Sequence, residues 1–512
     1  MAPRLPRTRR AVAVPLGMAL ASTLAFLPQA TPAAAADTEI TPSALTAAAE
    51  GTNLSYVVNL RHHKATDSVE RAITRAGGTV VATYRKIGVI VAHSADPEFA
   101  KVLRTVRGVE SAGATRTAPL PAQATEVVGA PRALSAEEVA AATRAANATQ
   151  DPLQPLQWSL PAIKADKAHE RTLGSKDVTV AVLDTGVDDT HPDLAPNFDR
   201  RASANCVSGK ADTTEGSWRP GPGESAHGTH VAGEIAAAKD GAGMTGVAPG
   251  VKVSGIKVST PAGFFYAEAV VCGFMWAAEN DVDITNNSYY TDPWYFNCDD
   301  DPDQRALVEA VSRAARYAER KGAVNVAAAG NENFDLAADE LTDPSSPNDT
   351  TPGTRVVDPS ECLDIPTQLP GVVTTASIGA KGIKSSFSNY GKGVVDIAAP
   401  GGDSTAFQRP EAPATSGLIL GTLPGGRWGY MAGTSMASPH AAGVAALIKS
   451  THPRATPAQV KALLYRGAVA TPCTDPYDIN GDGKIDAVCE GGKNRNGFYG
   501  AGVVDALNAV RK

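Results

Sequence analysis

The chain has 512 residues, of which 43% are hydrophobic and 20% are charged, and its formal net charge is −7. This length exceeds one ordinary domain and suffices to bury a large core, and the composition is globular rather than disordered. A negative net charge without a dominant basic patch argues against a nucleic-acid partner.

The first 36 residues have the pattern of an export signal. Four arginines precede an apolar stretch over 11–27, and a run of alanines ends at Ala36. This order predicts a secretory signal peptide at 1–36, cleaved before Asp37, with the general and twin-arginine routes both open. No later stretch reaches the roughly 18 apolar residues of a membrane helix. We therefore expect a secreted, extracellular protein that has no membrane contact once the signal is removed.

A small α+β unit is predicted at 55–113. Strand-like runs are predicted at 55–60, 79–84, 88–92 and 109–112. Two helices, in which apolar residues recur at i, i+3, i+4 and i+7, are predicted at 67–76 and 96–106. The order βαββαβ predicts a ferredoxin-like layout. Residues 114–152 are rich in Ala, Thr and Pro and are expected to form an exposed linker.

From residue 153 onward, strand and helix patterns alternate. Apolar strand-like runs are predicted at 178–183, 251–258, 282–285, 324–329, 372–376 and 394–398. Helices are predicted between them at 228–238, 266–280, 303–321 and 435–450. This alternation predicts one large α/β domain, with a mostly parallel sheet covered by helices on both faces. In such sheets ligands bind at the carboxyl ends of the strands.

The six cysteines form an even set in a chain predicted to be exported, which indicates disulfides. They are Cys206, Cys272, Cys298, Cys362, Cys473 and Cys489. Six cysteines allow 15 connectivities. The pair Cys473–Cys489 would close a short local loop and is favoured for that reason, and Cys298–Cys362 and Cys206–Cys272 are further candidate pairs. Their spacing does not match paired zinc ligands.

Three polar residues stand at strand ends or helix starts, where catalytic groups are often placed. Asp184 ends the apolar run VTVAVL and would lie at the carboxyl edge of the sheet. His227 begins HGTHVAG, where small residues let a helix pack closely. Ser435 stands at the start of an Ala-rich helix, whose free N–H groups and dipole would stabilise an oxyanion. Taken singly, a turn carboxylate, a structural histidine and an N-cap serine would explain them equally well.

Two other hydrolase sites fit these residues less well. A metal site could use His227, His230 and Glu234, but the histidines are spaced i, i+3 rather than i, i+4 as in H-E-x-x-H metalloproteases. The G-x-S-x-G elbow needs a second glycine where Ala437 stands. Pro439 is expected to be tolerated because it falls in the first helical turn, where its missing N–H is no loss.

Together, the blocks DTGVD, HGTHVAG and GTSMASPH resemble the subtilisin family over residues 153–512. The resemblance implies a three-layer αβα domain and a serine endopeptidase that cuts peptide bonds through an acyl-enzyme. It implies Ser435 as the nucleophile, His227 as the general base and then acid, and Asp184 as the group that orients His227. Asn331, which follows the run VNVAAAG, matches the family's oxyanion-hole asparagine. The chemistry requires no cofactor, and the presence of all four groups argues against an inactive binding protein on this fold.

Four further polar residues fall within these family-like blocks. They are His191, His230, Glu332 and His440. We expect them to be structural neighbours of the site rather than reacting groups.

The family binds its substrate as an added strand between two edge segments. Where the family usually has Ser-Leu-Gly-Gly, this chain has Ser288, Tyr289 and Tyr290, and the opposite edge is assigned to Gly263, Phe264 and Phe265. The family's glycines leave space in the primary specificity pocket. We therefore expect Tyr290 to narrow or reshape that pocket, unless these rings pack inward.

Family members often carry a ferredoxin-like propeptide that assists folding, inhibits the mature site and is then removed. The resemblance therefore implies a propeptide at 37–113, a processing site within 114–152 and a peptidase domain at 153–512. The enzyme would be made as an inactive zymogen. Its expected partners are protein or peptide substrates and its own propeptide, and we expect a monomer.

One segment near the C-terminus resembles an EF-hand-type calcium loop. The alternate positions of this loop, where such loops place their oxygen ligands, are occupied by Asp478, Asn480, Asp482, Lys484 and Asp486. The sixth position is glycine, but Cys489 stands at the twelfth, where a bidentate glutamate belongs. A structural calcium site and a plain Asx/Gly turn closed by a disulfide are both consistent with this segment.

Overall fold

The computed structural model describes residues 54–118, 128–146, 149–405 and 408–511. The predicted signal peptide at 1–36 and the start of the predicted propeptide at 37–53 lie outside these residues. All described residues belong to one compact unit. Within the described ranges, no helix combines the length and the apolar character needed to cross a membrane.

Residues 54–114 form a small antiparallel sheet with two helices. The elements are β1 (Leu54–Leu60), α1 (Thr66–Arg75), β2 (Thr79–Tyr84), β3 (Val89–Ser94), α2 (Phe99–Arg104) and β4 (Val109–Ala114). The strand order β2-β3-β1-β4 is the predicted ferredoxin-like arrangement. Helix α2 begins later than predicted because Asp96 accepts the Glu98 N–H at 2.9 Å and turns the chain before Phe99.

From residue 128 the chain forms the remaining elements. The helices are α3 (Ala136–Ala145), α4 (Ser159–Ala162), α5 (Ala165–His169), α6 (His227–Ala236), α7 (Ala267–Glu279), α8 (Pro302–Lys321), α9 (Thr434–Thr451), α10 (Pro457–Gly467) and α11 (Ala506–Ala509). The first strands are β5 (Val128–Ala133), β6 (Thr179–Asp184), β7 (Ala204–Asn205), β8 (Lys252–Lys257), β9 (Ile284–Asn287), β10 (Asn297–Cys298), β11 (Val324–Ala328) and β12 (Leu341–Ser346). The later strands are β13 (Gly353–Val357), β14 (Cys362–Leu363), β15 (Val373–Ile378), β16 (Ile397–Pro400), β17 (Ile419–Leu423), β18 (Arg427–Ala432), β19 (Gly491–Gly492) and β20 (Arg495–Asn496).

A seven-stranded parallel sheet forms the centre of the large domain, in the order β16-β15-β11-β9-β6-β8-β7. In β6, Val180 and Val182 join the hydrophobic cluster that contains α6 and α9. Ala181 and Leu183 join the cluster that contains α7 and α8. Successive strand side chains point to opposite faces, so both faces of the sheet are covered. This confirms the predicted three-layer αβα fold.

The segment predicted as an exposed linker contains regular structure. Strand β5 pairs antiparallel with β18, and α3 begins at a capping box in which Ser135 and Glu138 bond each other's backbone N–H. The sequence carries this Ser-x-x-Glu signal, which the composition of the segment obscured. Residues 119–127 and 147–148 lie outside the described residues.

The N-terminal sheet packs against α7 and α8 of the large domain. Val57 of β1 is buried in the same hydrophobic cluster as these helices, and Asn59 Nδ2 donates to the Ala306 carbonyl at 2.9 Å. A Cβ added at Gly113 would stand 2.6 Å from the Asp303 carbonyl oxygen. The absence of a side chain at Gly113 therefore permits the close approach of β4 to the start of α8.

All six cysteines are paired in the structure. The disulfides are Cys206–Cys272, Cys298–Cys362 and Cys473–Cys489. These are the three pairs that the sequence suggested. One of them, Cys298–Cys362, joins the short strands β10 and β14.

Candidate active site

The candidate catalytic residues lie at the carboxyl edge of the sheet. Asp184 is the last residue of β6, Asn331 follows β11, and His227 begins α6. Ser435 is the second residue of α9. His227, Asn331 and Ser435 line one cavity of about 200 Å³. The parallel topology thus brings together residues that lie far apart in sequence, at the edge where such sheets bind ligands.

Asp184 and His227 form a buried hydrogen-bonded pair. The distance from Asp184 Oδ1 to His227 Nδ1 is 2.8 Å, and the same oxygen accepts the Thr185 N–H at 2.7 Å. A Cβ added at Gly228 would stand 3.0 Å from Asp184 Cβ, so this glycine lets α6 begin beside the carboxylate. With Nδ1 bonded to the carboxylate, His227 has Nε2 available as a proton acceptor, which general-base chemistry requires.

The hydroxyl of Ser435 contacts the substrate edge. Ser435 Oγ donates to the Ser288 carbonyl at 3.2 Å. Ser435 and His227 line the same cavity, and catalytic hydrogen bonds commonly tighten only when substrate binds.

Pro439 lies in the second turn of α9, so the prediction of a first-turn position is wrong. Because α9 begins at Thr434, Pro439 is its sixth residue, and its missing N–H would have bonded the Ser435 carbonyl. Ser288 Oγ instead donates to that carbonyl at 2.9 Å. The proline thereby frees a backbone oxygen that joins the nucleophile to the substrate edge.

Asn331 is oriented by the start of α9. Its Oδ1 accepts the Thr434 N–H at 2.8 Å and the Thr434 hydroxyl at 2.9 Å. These two donors fix which end of the amide is oxygen, so Nδ2 is left to donate. The first N–H groups of a helix have no acceptor within the helix. The Asn331 amide and the Ser435 N–H can therefore both bind an oxyanion in the shared cavity.

His230 lies outside the reacting set. Its Nδ1 is 2.7 Å from Glu234 Oε1, and Glu234 Oε2 lies 3.2 Å from His440 Nδ1. Burial lowers the pKa of His230 to about 3 and that of His440 to about 4, and it raises the pKa of Glu234. Burial thus opposes charge on all three side chains. Among the described residues, no group of three or more His, Cys, Asp or Glu side chains is arranged to hold a metal.

His191, the remaining structural neighbour expected from the sequence, is also buried. Its Nε2 lies 2.9 Å from the Arg427 carbonyl, and it does not line the cavity.

The structure places most predicted substrate-edge residues on the cavity. Those that line it are Gly263, Phe265, Ser288, Tyr289 and Tyr290. Phe264 is buried elsewhere and stacks on Tyr266. The Phe265 and Tyr289 rings stack with centroids 4.5 Å apart, and those of Tyr290 and Tyr295 lie 4.6 Å apart. The aromatic replacements therefore pack on one another while forming one side of the cavity.

The two edge segments also bond directly to each other. Asp292 N–H donates to the Phe265 carbonyl at 3.0 Å, and the Phe265 N–H donates to Asp292 Oδ2 at 2.5 Å. Burial raises the pKa of Asp292 to about 7. Asp292 belongs, with Asn348 and Asp364, to the cavity residues that sequence reasoning missed. They follow the Ser-Tyr-Tyr edge in segments without a family-like block, so only the fold reveals them.

The calcium-like segment closes on itself. Asp478 Oδ1 accepts the Gly481 N–H at 2.7 Å, and Asp478 Oδ2 accepts the Gly483 N–H at 2.8 Å. The ammonium of Lys484 lies 3.9 Å from the Asp482 carboxylate. With its oxygens turned to backbone donors, a cation among them and Cys489 in a disulfide, this segment does not fit a calcium ion. The Asx/Gly turn is the better description.

The last two proposed ligands of that loop behave in the same way. Asn480 Oδ1 accepts the Asp482 N–H at 2.9 Å, and Asp486 Oδ2 accepts the Ile479 N–H at 2.7 Å. Both side chains therefore stabilise the turn itself.

Comparison with known proteins places this arrangement among characterised folds. Residues 175–502 match the family model described as the subtilase family, peptidase S8. Subtilisin NAT of Bacillus subtilis subsp. natto is 32% identical over 308 residues, which cover 60% of this chain and 65% of that protein. Subtilisin Savinase of Lederbergia lenta is 29% identical over 334 residues, covering 65% of this chain and 98% of that protein.

A solved structure extends the likeness beyond the matched domain. The epidermin leader peptide processing serine protease of Staphylococcus aureus superimposes with a TM-score of 0.63 and 23% identity, covering 90% of this chain and 98% of the other. At this identity the likeness concerns the fold. The chain spans 65% of the length of Subtilisin NAT, so the similarity in sequence concerns the domain that carries the candidate active site.

Proposed function

This chain belongs to the subtilase family, and on that premise we propose that it is a serine endopeptidase that hydrolyses peptide bonds through an acyl-enzyme. One observation carries the proposal. His227, bonded at 2.8 Å to the buried Asp184, shares a cavity with Ser435 and Asn331. A base, its orienting carboxylate, a hydroxyl and an oxyanion donor thus meet at one point.

In the first half-reaction, Ser435 Oγ attacks the carbonyl carbon of the scissile peptide while its proton moves to His227 Nε2. The carbonyl oxygen becomes an oxyanion, which accepts hydrogen bonds from the Ser435 N–H and Asn331 Nδ2. Asp184 stabilises the imidazolium. Collapse of the tetrahedral intermediate breaks the C–N bond, and His227 returns its proton to the departing amine.

In the second half-reaction, a water molecule loses a proton to His227 and attacks the Ser435 ester. The same two donors bind the second oxyanion. Collapse breaks the ester C–O bond, and His227 protonates Ser435 Oγ. The products are a carboxylic acid and the free enzyme, so no metal, oxidant or cofactor enters the balance.

The test is cleavage of a denatured protein substrate by the wild type and by Ser435→Ala. We expect hydrolysis by the wild type and loss of at least about 10³-fold in rate for the variant. A sulfonyl fluoride should add one adduct mass on Ser435 of the wild type. An active Ser435→Ala variant would refute the proposed nucleophile.

A metal-dependent hydrolase would respond differently to a chelator and to sulfonyl fluoride. Dialysis against a chelator should leave the activity unchanged if Ser435 is the nucleophile. Loss of activity with a chelator, its return with a transition metal and insensitivity to sulfonyl fluoride would favour the metal mechanism.

We also propose that the protein is exported as a zymogen and that the unit at 55–113 acts as its propeptide. In support, β4 leads the chain toward the substrate edge, where the Thr117 N–H donates to Asp349 at 2.7 Å. Asp349 is next to Asn348, which lines the cavity. Residues 115–118, which follow the small unit, therefore lie near the site that this unit would inhibit.

Mass spectrometry of the culture supernatant tests export and processing together. The wild-type protein should lack residues 1–36 and be shortened further within 114–152, whereas Ser435→Ala should retain the propeptide. Size-exclusion chromatography should give the mass of a monomer. Shortening of both proteins at the same bond would show that another protease does the processing.

A further inference from the structure

The cavity beside the nucleophile is large enough for a long side chain. Ser435 and Asn331 line it together with Tyr290, Tyr295 and Asp364. A single water needs roughly 10–15 Å³ of such space, whereas this cavity measures about 200 Å³. A substrate residue whose carbonyl lies at Ser435 can extend its side chain into it.

The charge in this cavity has one sign. Asp292, Glu332 and Asp364 line it, and the only other ionisable side chains among its described lining residues are the catalytic His227 and three tyrosines. Acidic side chains, without a lysine or arginine among the described lining residues, give the cavity a negative field. Walls of low dielectric constant strengthen such a field relative to water.

Neutral donors hold Glu332 in place. Its Oε2 accepts the Asn331 N–H at 2.7 Å and the Asn389 amide at 3.1 Å, and it also accepts the Tyr295 hydroxyl. Each of these three donors is uncharged. Asp292 accepts the Phe265 N–H and the Asn348 amide, the latter at 2.6 Å, but burial raises its pKa to about 7, so it is a weaker source of negative charge near neutral pH.

Aromatic rings complete the cavity wall. Tyr290 and Tyr295 lie with centroids 4.6 Å apart, and both contribute to the lining. Tyrosine faces attract cations, most strongly the planar guanidinium of arginine. A neutral long side chain would fill the same volume but would remove water from the carboxylates without supplying a counter-charge.

We propose that this cavity selects substrates with an arginine or lysine side chain immediately before the scissile bond, with Glu332 and Asp364 as specificity-determining residues. The inference rests on the proposed endopeptidase activity and names its substrate class. It assigns Glu332 a role beyond that of the structural neighbour expected from its motif.

The test uses the processed wild-type enzyme and peptides that differ only before the cut, with Arg, Lys, Leu, Phe or Glu at that position. We expect kcat/KM for Arg and Lys to exceed that for Leu by about 10²-fold, because charge-assisted hydrogen bonds contribute strongly in a desolvated site. The Glu peptide should be cut least. Equal rates for all peptides, or a preference for Leu or Phe, would overturn the proposal.

Two variants separate the specificity from the chemistry. Glu332→Gln and Asp364→Asn should each lower the ratio of kcat/KM for the Arg peptide to that for the Leu peptide by about 10-fold or more. The matched control is Glu361→Gln, an exposed carboxylate three residues from Asp364, which should leave the ratio unchanged. If neither cavity variant changes the ratio, these residues do not determine specificity.

Binding supplies a readout that does not need turnover. Benzamidine, a planar cation, should bind the wild type with a Kd that rises at least about 10-fold in Glu332→Gln, as measured by calorimetry. If no peptide is cut but benzamidine binds as expected, the proposed function fails and the cationic site stands. If peptides are cut but benzamidine does not bind and Arg is not preferred, the function stands and this inference fails.

Discussion

The backbone around the nucleophile is stabilised from outside its own helix. Pro439 cannot donate to the Ser435 carbonyl, and Ser288 Oγ takes that role at 2.9 Å. Both serines are buried. Because an unsatisfied buried carbonyl costs about 1–3 kcal/mol, the helix start depends on the substrate edge for part of its stability.

We predict that Ser288→Ala lowers the free energy of unfolding by about 1–3 kcal/mol. Adding Pro439→Ala should recover part of this loss, since residue 439 regains an N–H that can bond the Ser435 carbonyl. Urea denaturation of the single and double variants measures the coupling. Ser404→Ala, at an exposed serine, is the control, and strictly additive effects would contradict the assignment.

Asn331 gives a second prediction at this scale. Asn331→Leu should lower kcat by about 10²–10³-fold with little change in KM, a magnitude measured on a subtilisin and carried over within the family. The reason is that Nδ2 would bind the oxyanion, which exists only after attack begins. Asn494→Leu, at an exposed asparagine, is the control. A comparable rise in KM would instead indicate a role in binding substrate.

At the scale of elements, a buried lysine connects the chain that follows β11, which contains Asn331, to the segment at 477–498. Lys384 Nζ donates to Asn333 Oδ1 at 2.6 Å, two residues after Asn331. It lies 4.9 Å from the Tyr477 ring centroid and 5.6 Å from that of Phe498. Asn333 Nδ2 in turn donates to a backbone carbonyl of the same segment at 2.9 Å. The segment that resembles a calcium loop therefore supports the chain that follows β11 and carries Asn331.

This lysine predicts a pH dependence of stability. Burial lowers the pKa of Lys384 to about 7, although Asp403 and Asp486 oppose the shift. Between pH 7 and the ordinary lysine pKa near 10.4, the unfolded chain binds more protons at this residue than the folded one. The free energy of unfolding should therefore rise with pH across this window.

The comparison is with Lys384→Met, which keeps an unbranched side chain but cannot titrate. From pH 7 to pH 10, the free energy of unfolding of the wild type should rise relative to that of Lys384→Met. Guanidinium denaturation at several pH values measures it. Lys381→Met, at an exposed lysine nearby, should follow the wild-type curve, and parallel curves for Lys384→Met would exclude the buried, titrating lysine.

At the scale of the whole molecule, the N-terminal sheet shares its hydrophobic core with the large domain. Val57, Ile87 and Val89 lie in one cluster with α7 and α8. Arg313 of α8 donates to the Leu60 carbonyl at 2.9 Å. Because apolar surface on both partners is buried here, removal of the small unit would expose part of that surface to water.

We predict that Gly113→Val weakens this packing, since any Cβ at this position would stand 2.6 Å from the backbone of Asp303. In the Ser435→Ala background, residues 54–118 should then be digested faster by trypsin than in the parent. Gly492→Val is the control because a Cβ there meets nothing within 4 Å. Equal digestion rates would show that the close approach at Gly113 contributes little.

The sequence alone determined the layers, the three catalytic blocks and the candidate triad. Apolar runs such as VTVAVL indicate strands that are buried on both faces. The blocks around Asp184, His227 and Ser435 are local patterns that can be recognised in the sequence itself. Among the disulfides, the sequence favoured only Cys473–Cys489, because that pair closes a short local loop; the other two pairs were candidates among 15 connectivities.

Only the tertiary structure decided what surrounds the triad. It showed that Pro439 lies in the second helical turn, and that β5 and α3 occupy part of the expected linker. It also showed that the calcium-like loop is a closed turn and that Asp364 and Glu332 line the same cavity. These features depend on contacts between residues far apart in sequence, and pairwise proximity of that kind leaves no periodic or local pattern in a single chain.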